Sequence, residues 1–316
     1  MIIRKIHSSM ALIMGILMMA GIFFPAAHVG GEGTKTVAFI GFSEGVDQPY
    51  WIAMSKGIKA AVKNTSIDLI DLTALNDDPL EQKRMLEYAI ETKKVDGIIL
   101  GANRPSMLME DLDKATAKGI PVVAVDVDID HPAVKAFVGT NNFASAQMLG
   151  DYIVKATQGK GTVLILGGTQ GHPNGNARRA GVEEKVMQAG MKVIFRYADW
   201  QAEKGFDITA EELGKPNDIA AIFSCNDPMA VVAEDLVKKK GLQDKIIVVG
   251  FDGLEIVLKK IKNGDIKATV IQPIDHMAGE SVRLMSDLLS GKTVPMEELV
   301  HGVLVDKENV GQFLKD

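Results

Sequence analysis

The chain holds one cysteine in 316 residues, two tryptophans and an aromatic share of only 5%. A lone cysteine, Cys225, cannot close an internal disulfide, so stability must come from a buried core. There is no low-complexity stretch, no flexible linker and no Gly-Lys-Ser/Thr phosphate loop, and the six histidines show no metal-ligand spacing. These absences exclude a disulfide-stapled scaffold, a zinc module and a P-loop enzyme, and no cofactor is expected. The formal charge of −6 makes nucleic acid and anionic lipid poor partners.

The first residues read as an export signal and not as fold. Arg4 and Lys5 precede an apolar run from Met10 to Phe24, too short to span a bilayer comfortably, and small residues follow in "PAAHVGGEG". Cleavage after Ala26, Ala27 or Gly31 fits this pattern; an uncleaved anchor is the alternative. Taking 1–31 as the signal, loss of Arg4 and Lys5 moves the formal charge from −6 to −8. No cysteine stands behind the apolar segment to carry a lipid, so the expectation is a free, monomeric protein of a bacterial periplasm.

What remains is too long for one ordinary core, which argues for two lobes. Short β-branched runs alternate with helical periodicity: "TVAFIGF" (36–42), "IDLIDL" (67–72), "VDGIIL" (95–100) and "PVVAVD" (121–126) predict strands. Between the second and third, Asp78, Pro79 and Glu81 mark a helix start. After "AFVGTNN" the pattern restarts with "GTVLILGG", "MKVIFRY", "IAAIFSC", "IIVVGFDG" and "IKATVIQ", separated by helices near 175–189, 201–214 and 227–240. The fold class is therefore α/β, with two Rossmann-like lobes built on parallel sheets. A last helix near 275–290 could return to the first lobe.

Parallel sheets bind ligands beyond the carboxyl ends of their strands. Those ends carry Ser43 to Trp51, Asn103-Arg104, Asp126, "GGTQGHPNGNARR", Asp199-Trp200, Asn226-Asp227, Asp252 and Gln272. Three patterns among them mislead. "GFSEG" (41–45) matches a nucleophile elbow, but it follows the first strand, so no earlier strand can supply an oxyanion loop. "DVDID" opens like a calcium loop, but His131 stands where glycine is needed and Phe137 where glutamate is needed. The glycines of 167–176 resemble a phosphate cradle without its lysine; Arg178 and Arg179 at a helix start keep a phosphorylated ligand open as a lesser reading.

The scarce aromatics point elsewhere. A monosaccharide has weakly apolar C–H faces and an equator of hydroxyls, so its binding calls for flat rings above and below and paired polar groups around the rim. Tyr50 and Trp51 lie in one lobe and Trp200 in the other, which suits the two faces. Trp51 also shares a helical stripe with Met54, Ile58 and Ala61, so a core role for it is equally consistent.

In order and spacing, "QPYW", "VDV", "NARRAG", "ADWQAEKG", "CNDPMA", "VVGFDG" and "ATVIQP" resemble the type I periplasmic sugar-binding proteins, above all the ribose-binding group, over the whole chain from about residue 36. The resemblance implies that Gln48 is a rim contact, that Tyr50 and Trp51 stack on one sugar face and Trp200 on the other, and that Asp126, Arg178, Asn226, Asp252 and Gln272 bond its hydroxyls. Gln272 could instead serve only the hinge, and Asp227 reads better as a helix cap. The resemblance also implies lobes at 35–140 plus 273–301 and 141–272 plus 302–316, joined by a multi-strand hinge. Where ribose-type proteins usually have arginine after the Asp126 position, this chain has Val127; Arg104 or Asp128 is expected to compensate, and Ser43 is a further rim candidate. Two tryptophans in place of phenylalanines imply a larger ring than ribose. The function so implied is a non-enzymatic receptor delivering a monosaccharide or polyol to an ABC importer; a periplasmic receptor serving a sensor kinase or chemoreceptor is the alternative.

Overall fold

The computed structural model describes residues 33–42, 49–74 and 78–314. The expected export segment, Ser43 and Gln48 lie outside the described residues. Among the rest, the chain runs β1 (Lys35–Ile40), α1 (Pro49–Ala61), β2 (Ile67–Asp71), α2 (Pro79–Glu87), β3 (Gly97–Leu100), α3 (Met109–Ala117), β4 (Val122–Val125) and β5 (Val134–Thr140). It continues through α4 (Asn142–Thr157), β6 (Thr162–Gly167), α5 (Pro173–Gln188), β7 (Lys192–Tyr197), α6 (Ala202–Glu212), β8 (Ile219–Ser224), α7 (Asp227–Lys239), β9 (Ile247–Val249), α8 (Glu255–Asn263) and β10 (Ala268–Ile271). The end is α9 (Ile274–Leu289), β11 (Glu297–Val300) and β12 (Val303–Asp306).

The strands form two six-stranded sheets, ordered β2-β1-β3-β4-β5-β11 and β7-β6-β8-β9-β10-β12. Every pairing is parallel except that of β10 with β12. Strands β3, β4 and β6 are buried along their whole length, because parallel sheets are covered by helices on both faces. The helix starts follow from the sequence: Asp78 accepts from the Leu80 N–H ahead of Pro79, and Asn226 accepts from the Met229 N–H ahead of Pro228.

Three strands go beyond the sequence expectation. β5 falls in the stretch read only as the boundary between repeats, and β11 and β12 are four-residue edge strands carrying Glu297, Glu298 and Asp306. Charge on an edge strand discourages pairing with other chains, and it also erases the apolar signature by which strands are recognised.

The chain passes between the sheets three times, after β5, after β10 and between β11 and β12. The Thr140 hydroxyl donates to Gln272 Oε1 at 2.8 Å, tying the first crossing to the second. At the third, a Cβ on Gly302 would lie 2.4 Å from Val270 Cγ1, so only glycine fits. Helix α9 returns to the first sheet, with Ala278 against Gly57 of α1 and Met285 filling the space that a side chain at Gly97 would need.

Candidate functional site

Both sheets end in the same region, and each contributes an aromatic wall. On the first, Phe42 follows β1 while Tyr50 and Trp51 begin α1. Phe42 and Trp51 lie parallel with ring centroids 6.0 Å apart, and Tyr50 meets Trp51 edge-on at 5.5 Å. On the second wall, Trp200 meets His172 edge-on at 5.1 Å. Each indole sits on a glycine just past a strand: a Cβ on Gly101, after β3, would fall 2.2 Å from Trp51 Cη2, and one on Gly168, after β6, would fall 2.1 Å from Trp200 Cζ2. Glycine is needed at both positions for close approach, independent of backbone angle.

The walls flank a cavity of about 50 Å³ whose polar lining includes Asp126, Asn174, Arg178, Asn226, Asp252 and Gln272. Arg178, at 4% exposure, is held by its Nε–H to Asn142 Oδ1 (2.7 Å) and by Nη1 to the Cys225 carbonyl (2.7 Å) and Asp252 Oδ1 (3.3 Å). Its guanidinium carbon lies 3.9 Å from the Phe251 ring centroid, a cation–π seat. Gln272 Nε2 donates to Asp252 Oδ1 at 2.7 Å, and Asn226 Nδ2 donates to the Trp200 carbonyl at 3.0 Å. At the other end, the Tyr50 hydroxyl donates to Asp126 Oδ1 at 2.8 Å. Asn174 Nδ2, from the second sheet's half, donates to the Asp126 carbonyl at 3.0 Å and to Oδ2 at 3.1 Å.

Backbone strain gathers here. Six non-glycine residues among those described have positive φ; Lys94 and Gln158 are helix C-caps, and the other four are Asp126 (69°), Asp199 (52°), Trp200 (65°) and Asp252 (131°). Such conformations cost about 1–3 kcal/mol each and persist where surrounding contacts enforce them. Burial is the main electrostatic force: it raises both Asp126 and Asp252 above the usual carboxylate range, against the lowering pull of Arg178. Burial also pushes the His172 imidazole down to about 4, so it is neutral at pH 7, and the Cys225 thiol up to about 12. Among the described residues, two buried side-chain atoms lack a hydrogen-bond partner, His172 Nδ1 and Trp200 Nε1, and both residues line the cavity.

A family model described as a periplasmic binding protein domain matches residues 40–293. The chain belongs to the periplasmic binding protein family. Similar to this periplasmic binding protein is a D-allose-binding periplasmic protein of Escherichia coli, 29% identical over 278 residues, covering 84% of this chain and 89% of the relative. A D-apiose import binding protein of Actinobacillus succinogenes is 30% identical over 275 residues, covering 85% and 88%. Among solved structures, an ABC transporter periplasmic solute binding protein from Actinobacillus succinogenes with bound D-allose superposes with a TM-score of 0.81 at 28% identity, over 88% of this chain and 99% of that one. A glucose-galactose binding protein from Geobacillus stearothermophilus gives 0.82 at 26% identity, with coverage of 88% and 99%.

In this periplasmic binding protein, Tyr50, Trp51, Asp126, Arg178, Trp200, Asn226, Asp252 and Gln272 converge on one cavity from residues up to 222 positions apart. Arg104 and Asp128 do not join the cavity lining and are exposed: Asp126 turns inward, Val127 is fully buried, and Asp128 faces solvent. Besides Tyr50, the side-chain contact to Asp126 comes from Asn174, 48 residues away. Sequence reasoning missed Asn174, His172 and Phe42. The first two lie in the glycine-rich stretch read as an incomplete phosphate cradle, and Phe42 was counted as the end of a strand. Asp227 is a structural residue: its carboxylate accepts from the Leu254 N–H (2.7 Å) and the Thr269 hydroxyl (2.8 Å).

Proposed function

We propose that the protein is a periplasmic solute receptor that closes two lobes on a monosaccharide or similar polyol and presents the closed form to an ABC importer. The observation that carries this reading is one cavity with an indole on each side, contributed by different sheets, and a polar lining between them. Flat rings match the C–H faces of a sugar, while Asp, Asn, Gln and Arg side chains pair with hydroxyls that both donate and accept. The lobes are 35–140 with 273–301, and 141–272 with 302–316; the three crossings form the hinge. The cavity lies between the two walls, so closing them over a sugar buries it from both sides, and closure selects the loaded receptor for its partner.

The ligand contacts are Tyr50, Trp51, Asp126, Arg178, Trp200, Asn226, Asp252 and Gln272, and no bond-making chemistry is required of them. The names of the relatives, which bind allose or apiose, support import over signalling. The test is calorimetry on the mature protein, refolded to strip carried-over ligand, against pentoses, hexoses and inositols. Micromolar binding, about −8 kcal/mol, that is abolished in Trp200→Ala supports the clamp; no binding across the panel refutes it.

A further inference from the structure

The two ends of the cavity differ in what they leave for a ligand to bond. At the Asp252 end, donors remain: Arg178 has an Nη2 with no bond to the protein in the network above, and Gln272 and Asn226 each use one amide hydrogen and keep the other. A hydroxyl placed there can donate to the carboxylate and accept from its neighbours.

At the Asp126 end, among the described residues, every donor is spent. The Tyr50 hydroxyl hydrogen goes to Asp126 Oδ1, and both Asn174 amide hydrogens go to Asp126, one to the carbonyl and one to Oδ2. The amide orientation follows from those partners, since the reverse would set Asn174 Oδ1 against two oxygens. Val127, fully buried beside Asp126, offers nothing polar. Among the described residues only acceptors are left: the remaining carboxylate lone pairs, Asn174 Oδ1 and the Tyr50 oxygen. The charges are equally uneven. The lining holds two carboxylates and one guanidinium, and that guanidinium bonds Asp252, so Asp126 has neutral hydrogen-bond partners and feels Arg178 only through space.

We infer that the ligand of this cavity is a polyol bearing one protonated amine, such as an amino sugar or amino-inositol, with the ammonium seated at Asp126. This rests on the sugar or polyol reading of the site and deepens it. An ammonium is three donors and no acceptor, the complement of an all-acceptor corner, whereas a hydroxyl there leaves its own lone pairs unpaired. It also supplies the counter-charge that a buried carboxylate needs. A uronate or sugar phosphate seated with its anion at this corner would be disfavoured by like charge.

The test is calorimetry at neutral pH on the refolded wild-type protein with matched pairs: D-glucosamine with D-glucose, D-galactosamine with D-galactose, amino-inositols with inositols, and D-glucuronate as the anionic control. The expected result is an amino member binding at least about tenfold tighter than its neutral partner, with no binding of the uronate. Neutral sugars binding as tightly as or tighter than their amino partners would overturn the inference and leave the sugar-receptor reading standing; no binding by any member overturns both. In Asp126→Asn, with folding verified by circular dichroism, the amine preference should fall to parity; a preference that survives puts the ammonium elsewhere and sinks the assignment. Where that variant does not fold, the wild-type pair ratios decide alone.

Discussion

The two tryptophan walls are built alike and secured differently. Both indoles rest on a glycine at the end of a strand. Trp51 belongs to a helix whose buried stripe continues through Met54 and Ile58, and Phe42 stacks on it. Trp200 sits outside any helix or strand, second of two consecutive left-handed residues, with an indole N–H that has no partner. Both rings are buried in the core and face the cavity, but one is anchored by a helix and the other by a strained loop. Residues that serve the fold and residues that serve the ligand can thus look identical in sequence and still answer differently to mutation.

The largest effect should come from Trp51→Ala, which removes a core side chain: a stability loss of about 3–5 kcal/mol by denaturant unfolding, with binding lost alongside. Trp200→Ala should reverse that balance, weakening the ligand by about 2 kcal/mol or more in calorimetry while the denaturation midpoint moves far less. Equal stability losses in the two variants would erase the distinction. Arg178→Ala leaves Asp252 buried without its guanidinium and should destabilise the protein by about 3–5 kcal/mol, with Arg178→Lys recovering little of it because one ammonium cannot replace the forked contacts.

A smaller and sharper test is Gly168→Ala, whose methyl claims space now filled by Trp200. Affinity should fall about tenfold with a stability loss of about 1–3 kcal/mol, whereas Gly101→Ala should act mainly on stability through the helix-anchored Trp51. The smallest effect is that of pH. Asp252 is raised by burial, so it takes up a proton at a higher pH than an ordinary carboxylate. Because the native state binds that proton more readily than the unfolded state, this residue makes the free protein less stable as pH climbs from about 4 toward 7. Ligand binding, which uses the ionised carboxylate, should change in the opposite sense, weakening several-fold from pH 7 to 5 by calorimetry.

Much of this architecture was legible in the chain because parallel strands buried on both faces read as unbroken apolar runs, and because Asp78-Pro79 and Asn226-Asp227-Pro228 announce helix starts locally. The edge strands β11 and β12 were not, since the glutamates and aspartate that protect an edge also hide it. The site divides along the same line. Residues standing at strand ends could be found by position, but Asn174 acts on Asp126 through a contact between the two halves of the molecule, which no local pattern encodes. Arg104 and Asp128 are exposed, and among the described residues the side-chain partners of Asp126 are Tyr50 and the neutral amide of Asn174 from the other half.

Cys225 offers a practical use. Its side chain is fully buried, its carbonyl holds Arg178, and its thiol is pushed up to about 12. A thiol so protected reacts with maleimide only when its surroundings open, so its alkylation rate is a native clock for local unfolding near the guanidinium. A second cysteine introduced on an exposed rim could then carry a fluorophore without Cys225 being removed, turning the receptor into an optical gauge of its own ligand.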